Sequence, residues 1–403
     1  MGMSRADARI EHVIHISVDG LRGDLLRGLL DAQKDAFRAF SRMRTEGAVT
    51  FNARCDHDYS TTTPNHAGML TGLPVKAGAG APATQQHGYV INYTIPGDTL
   101  HDQGSPVGYK PSVFDRVHDR GRRTMLLASK SKFSIFDRSY DAVHGADDGD
   151  GADHGRDKVD FALTNDGDSS TLVAVLASRM DVDFPAYTFL HIYDPDIAGH
   201  LYGWGSLSWQ LAVKHADAMV GLVLAALELR PALKATTAIV ITADHGGGAP
   251  LYNHVDPLPP ENYTIPVMIW GPGVPSGVDA YTLFANRIDP GGARVAYDAE
   301  GQPLRNGDTG NIALALLGLP PVTGSFFRPE WAGALAVSVL EDGLVECAWP
   351  GFWTGWRLET SPALEGGGWV PVATDPALAG GRWRHVEPMA ASAQRFFRLM
   401  APR

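Results

Sequence analysis

Asp19, Asp196 and Asp244 each follow a short apolar run, and two of them have a histidine close by: His200 four residues after Asp196, and His245 directly after Asp244. His254 stands a little further on. Carboxylates and neutral imidazoles without a thiolate suit zinc, manganese or a similar divalent ion. The D-x-x-x-H spacing lets two side chains meet one ion across a single helical turn. A second stretch, Tyr59 to Gly72, presents a run of hydroxyls ahead of Pro64-Asn65-His66. Pro64 steers the residue before it to extended geometry. The hydroxyls are therefore expected to stand outside the short helical segment that follows, near an N-terminus that favours an anion. A threonine hydroxyl attacks poorly at neutral pH unless a base or a metal activates it. Singly, an Asp-Gly after a strand is a turn and a Thr-rich stretch is a loop. Gathered at the ends of several strands, these residues make a metal-dependent site.

The elements that must position them alternate. His12–Val18 (HVIHISV), Thr124–Ala128, Tyr187–Ile192, Ala238–Thr242 and Ile265–Trp270 are short apolar, β-branched runs and read as buried strands. Helical stretches are expected over 25–44, 112–119, 169–180 and 209–229. Strands alternating with helices predict an α/β fold, a doubly wound and mostly parallel sheet. In such sheets ligands collect outside the carboxyl ends of the strands, and Asp19, Asp196 and Asp244 all fall at that edge. The Gly/Ala/Pro-rich segment 74–83 reads as a surface loop. Segment 147–157 is crowded with Asp and Gly but lacks EF-hand spacing, and reads as an acidic loop rather than a calcium site. After Pro329 the alternation gives way to short strand-like pieces split by Gly and Pro. The chain thus divides into a catalytic domain at 1–330 and a small all-β appendage at 331–403.

Composition narrows the function classes. A formal charge of −11 argues against a surface that coats nucleic acid. Two cysteines, Cys55 and Cys347, exclude a cysteine zinc cluster and argue against a disulfide framework. No run of about 18 apolar residues marks a membrane span, and residues 1–11 show no signal peptide. Nothing in the sequence speaks to oligomeric state.

Five separated motifs resemble the alkaline phosphatase superfamily, in its type I phosphodiesterase/nucleotide pyrophosphatase branch. They are Val18-Asp19-Gly20, Thr62-Thr63-Pro64-Asn65-His66, Thr71-Gly72, Pro195-Asp196 with Gly199-His200, and Ala243-Asp244-His245-Gly246. They occur in the family's order, and the likeness covers roughly residues 12–320. It implies an alkaline phosphatase-like fold and two zinc ions, with other divalent ions as alternatives. The nucleophile is implied at Thr62, two residues before the proline, with Thr63 as the fallback. One zinc is implied at Asp19, Thr62, Asp244 and His245. The other is implied at Asp196, His200 and a distal histidine, for which His254 is chosen over His385. His87-Gly88 followed by Asn92 matches the family's phosphoryl-binding asparagine. The resemblance also favours a secreted or periplasmic location. The last segment, at Leu358-Glu359-Thr360-Ser361 and Phe396-Phe397-Arg398-Leu399, resembles C-terminal modules of secreted bacterial proteins.

The implied reaction is in-line attack by the Thr62 hydroxyl on a phosphate ester, through a phosphothreonine intermediate that water then hydrolyses. Asn92 and the backbone N–H after the nucleophile are expected to stabilise the equatorial oxygens. The substrate is a small phosphate ester or nucleotide, with a diester preferred. Lys130 and Lys132, after a strand in the same region, are candidate substrate-binding cations of the kind a phosphomonoesterase adds. Their ordinary reading is as solvated loop lysines. Trp204 and Tyr202 are read as packing residues rather than a stacking platform. The alternatives are a phosphomonoesterase or a catalytically idle metal-containing binding protein. A sulfatase lacks support because its nucleophile pattern is missing around Thr62.

Overall fold

The computed structural model describes residues 10–102, 108–147, 155–332, 335–340, 343–351, 353, 356–364, 368–379, 382–388 and 394–400. Its central sheet has seven strands: β1 (His12–Val18), β2 (Ala48–Arg54), β3 (Thr124–Ala128), β4 (Phe161–Thr164), β5 (Tyr187–Ile192), β6 (Thr237–Thr242) and β7 (Thr264–Trp270). They lie in the order β2-β7-β6-β1-β5-β3-β4. The neighbours β6, β1, β5, β3 and β4 are parallel, while β7 is antiparallel to both β6 and β2. Parallel pairing needs a crossover, usually through a helix. The link from β6 to β7 contains only a four-residue helical turn, Pro260–Tyr263. It therefore returns antiparallel, and its loop stays at the carboxyl edge of β6.

The three middle strands, β6, β1 and β5, are buried along nearly their whole length. Their continuous Val/Ile/Leu runs reflect cover on both faces. Helices Gly23–Gln33, Arg38–Glu46, Ser169–Arg179, Leu207–Glu228 and Thr309–Leu316 contribute to one hydrophobic core with them. Residues 25–44 do not form one helix. A 3-10 turn at Lys34–Ala36 splits them, and the second helix leads into β2, a strand the periodicity does not announce. Among the described residues Leu207–Glu228 is long and apolar enough to cross a membrane by length and composition, and half of its apolar window is buried. It packs on the Arg38–Glu46, Ser169–Arg179 and Asp194–Tyr202 helices.

The proline does not exclude the hydroxyls from the helix, as the sequence suggests. Helix Thr62–Thr71 begins at Thr62, with Thr61 extended before it (φ −122°, ψ 151°), so Pro64 sits in the first turn. There its missing N–H leaves no intrahelical bond unmade. The helix ends at Gly72 in the left-handed region (φ 67°).

The C-terminal region is antiparallel throughout. It comprises β8 (Ala336–Val339), β9 (Leu344–Pro350), β10 (Arg357–Ser361), β11 (Val370–Pro371), β12 (Ala377–Ala379), β13 (Arg382–Pro388) and β14 (Phe396–Met400). These form a three-stranded sheet, β11-β10-β14, and a four-stranded sheet, β12-β13-β9-β8. Cys347, Trp349 and Leu358 centre a small core of their own. Of the acidic segment 147–157, residues 148–154 lie outside the described residues.

Candidate metal centre and nucleophile

Because β6, β1 and β5 are adjacent and parallel, the residues following them emerge side by side, at the roughly 4.8 Å spacing of neighbouring strands. Asp19 follows β1 directly, Asp244 stands two residues past β6, and Asp196 lies in the first turn of helix Asp194–Tyr202 after β5. Gly20 makes the turn possible. Its φ is +67°, and a Cβ there would lie 2.8 Å from the Asp196 Cα. Its N–H donates to Asp244 Oδ1 at 3.2 Å. One tight turn thus draws three carboxylates together.

Two groups of ligand atoms result. In the first, His245 Nε2 lies 3.4 Å from Asp19 Oδ1 and 3.1 Å from Asp244 Oδ2, with Thr62 Oγ1 3.5 Å from the same nitrogen. In the second, Asp196 Oδ1 lies 3.4 Å from His200 Nε2 and 3.6 Å from His254 Nε2, and these two nitrogens are 3.2 Å apart. The His245 and His254 rings stack at 3.5 Å, so the groups adjoin. Ligand atoms of Asp196, His245 and His254 also lie within 4.8 Å of one another, which puts His245 where the groups meet.

The donor chemistry fits divalent cations. Each of the three histidines faces a backbone carbonyl through Nδ1: His200 to Tyr252, His245 to Gly246 and His254 to Ser60. A carbonyl only accepts, so Nδ1 carries a proton and Nε2, whose lone pair is free whenever the ring is neutral, faces the cluster. Among the described residues Asp19 Oδ1, Asp196 Oδ1 and Asp244 Oδ2, all buried, find no donor unless an imidazole Nε2 carries a proton. These are the oxygens that face the Nε2 atoms. Buried carboxylate oxygens left without a donor are costly unless a cation meets them.

The remaining candidates fall around this cluster. Thr63 turns away from it: its N–H donates to Asn92 Oδ1 at 3.0 Å and its hydroxyl lies 3.3 Å from the same oxygen. The N–H after Thr62, expected to be open to a phosphoryl oxygen, is thus engaged by Asn92. Lys132 Nζ donates to Asn92 Oδ1 at 2.9 Å. Lys130 Nζ donates to Asp19 Oδ2 at 2.5 Å and Asp196 Oδ2 at 2.7 Å. Neither lysine is a solvated loop residue. His385 is engaged elsewhere, with Thr374 and Glu387 in the C-terminal strands.

Burial and crowding set the charges. Burial and the Asp19 charge push Asp244 up. Burial opposes ionisation of Asp19 too, yet Lys130 and His191 hold it well below the usual carboxylate range. Burial works against a proton on His245, but Asp244 and Asp19 outweigh it and push the ring up to about 9. A dication in place of that proton would satisfy the same carboxylates. Burial, with His245 alongside, pushes His254 down to about 3 and keeps it neutral. Burial and the neighbouring Lys130 push Lys132 down to about 8.

Several supporting residues carry no assigned role in the sequence, where His66 and Asn65 stand only as letters of a motif. His66 Nδ1 donates to the Thr62 carbonyl at 2.7 Å and its Nε2 pairs with Ser17 at 2.8 Å, locking the first turn of helix Thr62–Thr71 to β1. His191 Nε2 donates to Asp19 Oδ2 at 2.9 Å. Asn306 Nδ2 donates to the Asp244 carbonyl at 3.0 Å and to Asn65 Oδ1 at 2.9 Å. The available signal is a polar residue near the carboxyl end of a largely apolar strand: Ser17 in HVIHISV and His191 in YTFLHI, both wholly buried. Trp204 is buried as expected of a packing residue, while Tyr202 is exposed. Trp204 Nε1 donates to the Gly20 carbonyl at 2.9 Å, and its ring stands edge-on to His200 at 5.3 Å.

The fold and the buried carboxylate–imidazole cluster, which could hold metal, fit a hydrolase of phosphoric esters. A profile of the type I phosphodiesterase/nucleotide pyrophosphatase family matches residues 82–292, just over half of the chain, and the chain belongs to that family. The match takes in Asp196, His200, Asp244, His245 and His254, while Asp19 and Thr62 lie upstream of it. Among solved structures the chain is similar to murine ectonucleotide pyrophosphatase/phosphodiesterase 5, an inactive form in complex with AMP. That comparison gives a TM-score of 0.53 at 14% identity, over 79% of this chain and 98% of that one. The human ectonucleotide pyrophosphatase/phosphodiesterase 5 gives a TM-score of 0.50 at 13% identity, over 77% and 96%. At these identities the likeness is one of fold. Comparison with curated protein sequences gives no match.

Proposed function

We propose that this chain is a phosphodiesterase in which Thr62 attacks phosphorus beside two divalent cations, zinc foremost. Asp19, Thr62, Asp244 and His245 hold one cation, and Asp196, His200 and His254 hold the other. The observation that carries this reading is the convergence of three buried carboxylate oxygens on three imidazole Nε2 atoms, with the Thr62 hydroxyl 3.5 Å from one of them. Residues 1–330 are taken as the catalytic domain and 331–403 as the appendage.

Bound cations supply Lewis acidity, which favours the Thr62 alkoxide and offsets charge on the departing oxygen. The Thr62 hydroxyl gives up its proton to solvent, Oγ1 forms a bond to phosphorus as the bond to the leaving alkoxide breaks, and that alkoxide takes a proton from water, leaving phosphothreonine. Water then forms a bond to phosphorus, the bond to Oγ1 breaks, and Thr62 is restored. His66, donating to the Thr62 carbonyl, fixes the helix turn that aims Oγ1. With Asn92 Oδ1 occupied by the Thr63 N–H and by Lys132, its Nδ2 end is the donor for an equatorial oxygen. The substrate is a small phosphate ester or nucleotide. The AMP bound to the murine neighbour supports a nucleoside as one of the ester groups. The Lys132 ammonium beside Asn92 favours a second reading, a monoesterase, because a monoester carries the greater charge.

Turnover of bis-p-nitrophenyl phosphate against p-nitrophenyl phosphate, with and without added zinc, tests the proposal. Zinc-dependent preference for the diester is expected. A strong preference for the monoester overturns the diesterase assignment, and no hydrolysis of either overturns both.

A further inference from the structure

Lys130 follows β3 by two residues, and in the sheet β3 is separated from β1 by β5. Its side chain therefore reaches past the end of β5 to touch Asp19 as well as Asp196. The contacts are with Oδ2 of each, at 2.5 and 2.7 Å, leaving the Oδ1 atoms to face the imidazoles. Only 14% of the side chain is exposed. Two of three ammonium hydrogens are thus committed to carboxylates of different cation sites, which is a poor arrangement for gripping phosphate. It is also a fixed positive charge between two places meant for dications.

The two sites do not feel this charge equally. Asp19 has the Asp244 carboxylate beside it, so the first site keeps a second anionic ligand whatever Lys130 does. Asp196 is the sole carboxylate of the second site, whose other donors, His200 and His254, are neutral imidazoles when they bind metal. Building on the two-cation reading above, we propose that Lys130 is a built-in counter-charge that makes the sites unequal. The Asp19–Asp244–His245 site holds its cation firmly, and the Asp196–His200–His254 site holds its cation weakly and exchanges it. Like charges a few ångströms apart in a buried site repel strongly. Removing the ammonium should therefore strengthen the second site more than any loss of ligand positioning weakens it.

The test is zinc binding to the full chain, measured by competition with a chromogenic chelator and by metal content after gel filtration. Wild type is expected to show two affinities and to retain about one zinc per chain. Lys130→Met and Lys130→Gln should each tighten the weaker site by about tenfold or more and raise retained zinc towards two. Lys130→Arg keeps the charge and should resemble wild type. His254→Ala should abolish the weaker site and spare the tighter one. Equal affinities in wild type overturn this inference while leaving the two-cation reading intact. So does a weaker site that either neutral variant leaves unchanged or weakens further. If wild type binds no zinc or other divalent ion, both fall together.

Discussion

Thr62 and Thr63 are neighbours whose hydroxyls point to different partners: Oγ1 of Thr62 lies 3.5 Å from His245 Nε2, and Oγ1 of Thr63 lies 3.3 Å from Asn92 Oδ1. The sequence offers either as the attacking group. Geometry separates them, because only the first faces the ligand cluster. Thr62→Ala should lower kcat for a phosphodiester by about a thousandfold or more with zinc content unchanged or slightly reduced. Thr63→Ala should stay within about tenfold of wild type, since its backbone N–H still reaches Asn92. The reverse ranking would move the nucleophile to Thr63.

His191 touches no proposed ligand except Asp19, whose Oδ2 it holds at 2.9 Å, and its other nitrogen pairs with Ser129 at 3.1 Å. A residue that orients a ligand governs affinity more than chemistry. His191→Phe preserves ring volume and removes the donor. It should weaken zinc binding about 10–100-fold, and saturating zinc should restore most of the activity. Unchanged affinity in a chelator competition would show that Lys130 alone fixes Asp19.

Gly199 and Trp204 are packed so closely that a Cβ on the glycine would lie 2.5 Å from the indole ring. The indole in turn stands edge-on to His200 and His254. Gly199→Ala must push the ring away, at a cost of about 1–3 kcal/mol typical of an overpacked core. Urea unfolding should reveal that loss, accompanied by a shift in tryptophan emission and weaker zinc binding at the Asp196 site. A variant with wild-type midpoint and emission would mean that the ring moves freely.

Much of this site is legible in the letters because strand ends and candidate ligands coincide. Once β1, β5 and β6 are recognised as apolar runs, Asp19, Asp196 and Asp244 necessarily share an edge. The five motifs then order the rest. What the letters conceal depends on tertiary pairing. Strand β2 (AVTFNAR) has only Val and Phe as large apolar residues among its 7 and is stabilised by its antiparallel partner β7 rather than by its own propensity. Pro64 reads as a helix breaker, yet it is harmless in a first turn. Lys130 reads as a loop lysine because nothing local shows that β3 lies beside β5, within its reach of two carboxylates.

His15 provides a test of stability away from the chemistry. It lies in β1, wholly buried, its Nδ1 2.9 Å from the Tyr187 hydroxyl and its ring edge-on to Phe189 at 5.0 Å. Burial pushes it down from 6.5 to about 3. In the unfolded chain it titrates at its ordinary value, so between these limits the unfolded state binds the extra proton. Stability is then complete above about pH 6.5 and is lost as pH falls towards 3, by about 1.4 kcal/mol per pH unit for this one proton. His15→Leu should remove that contribution and flatten the dependence by the same slope, even if the variant starts from a different stability at pH 7.5. Urea unfolding at several pH values from 4.5 to 7.5 reads it directly. A chelator throughout keeps metal release from adding a slope of its own. Parallel curves for the two proteins would mean that His15 takes up its proton in the folded state as readily as in the unfolded chain, and that water reaches β1 from beneath the sheet.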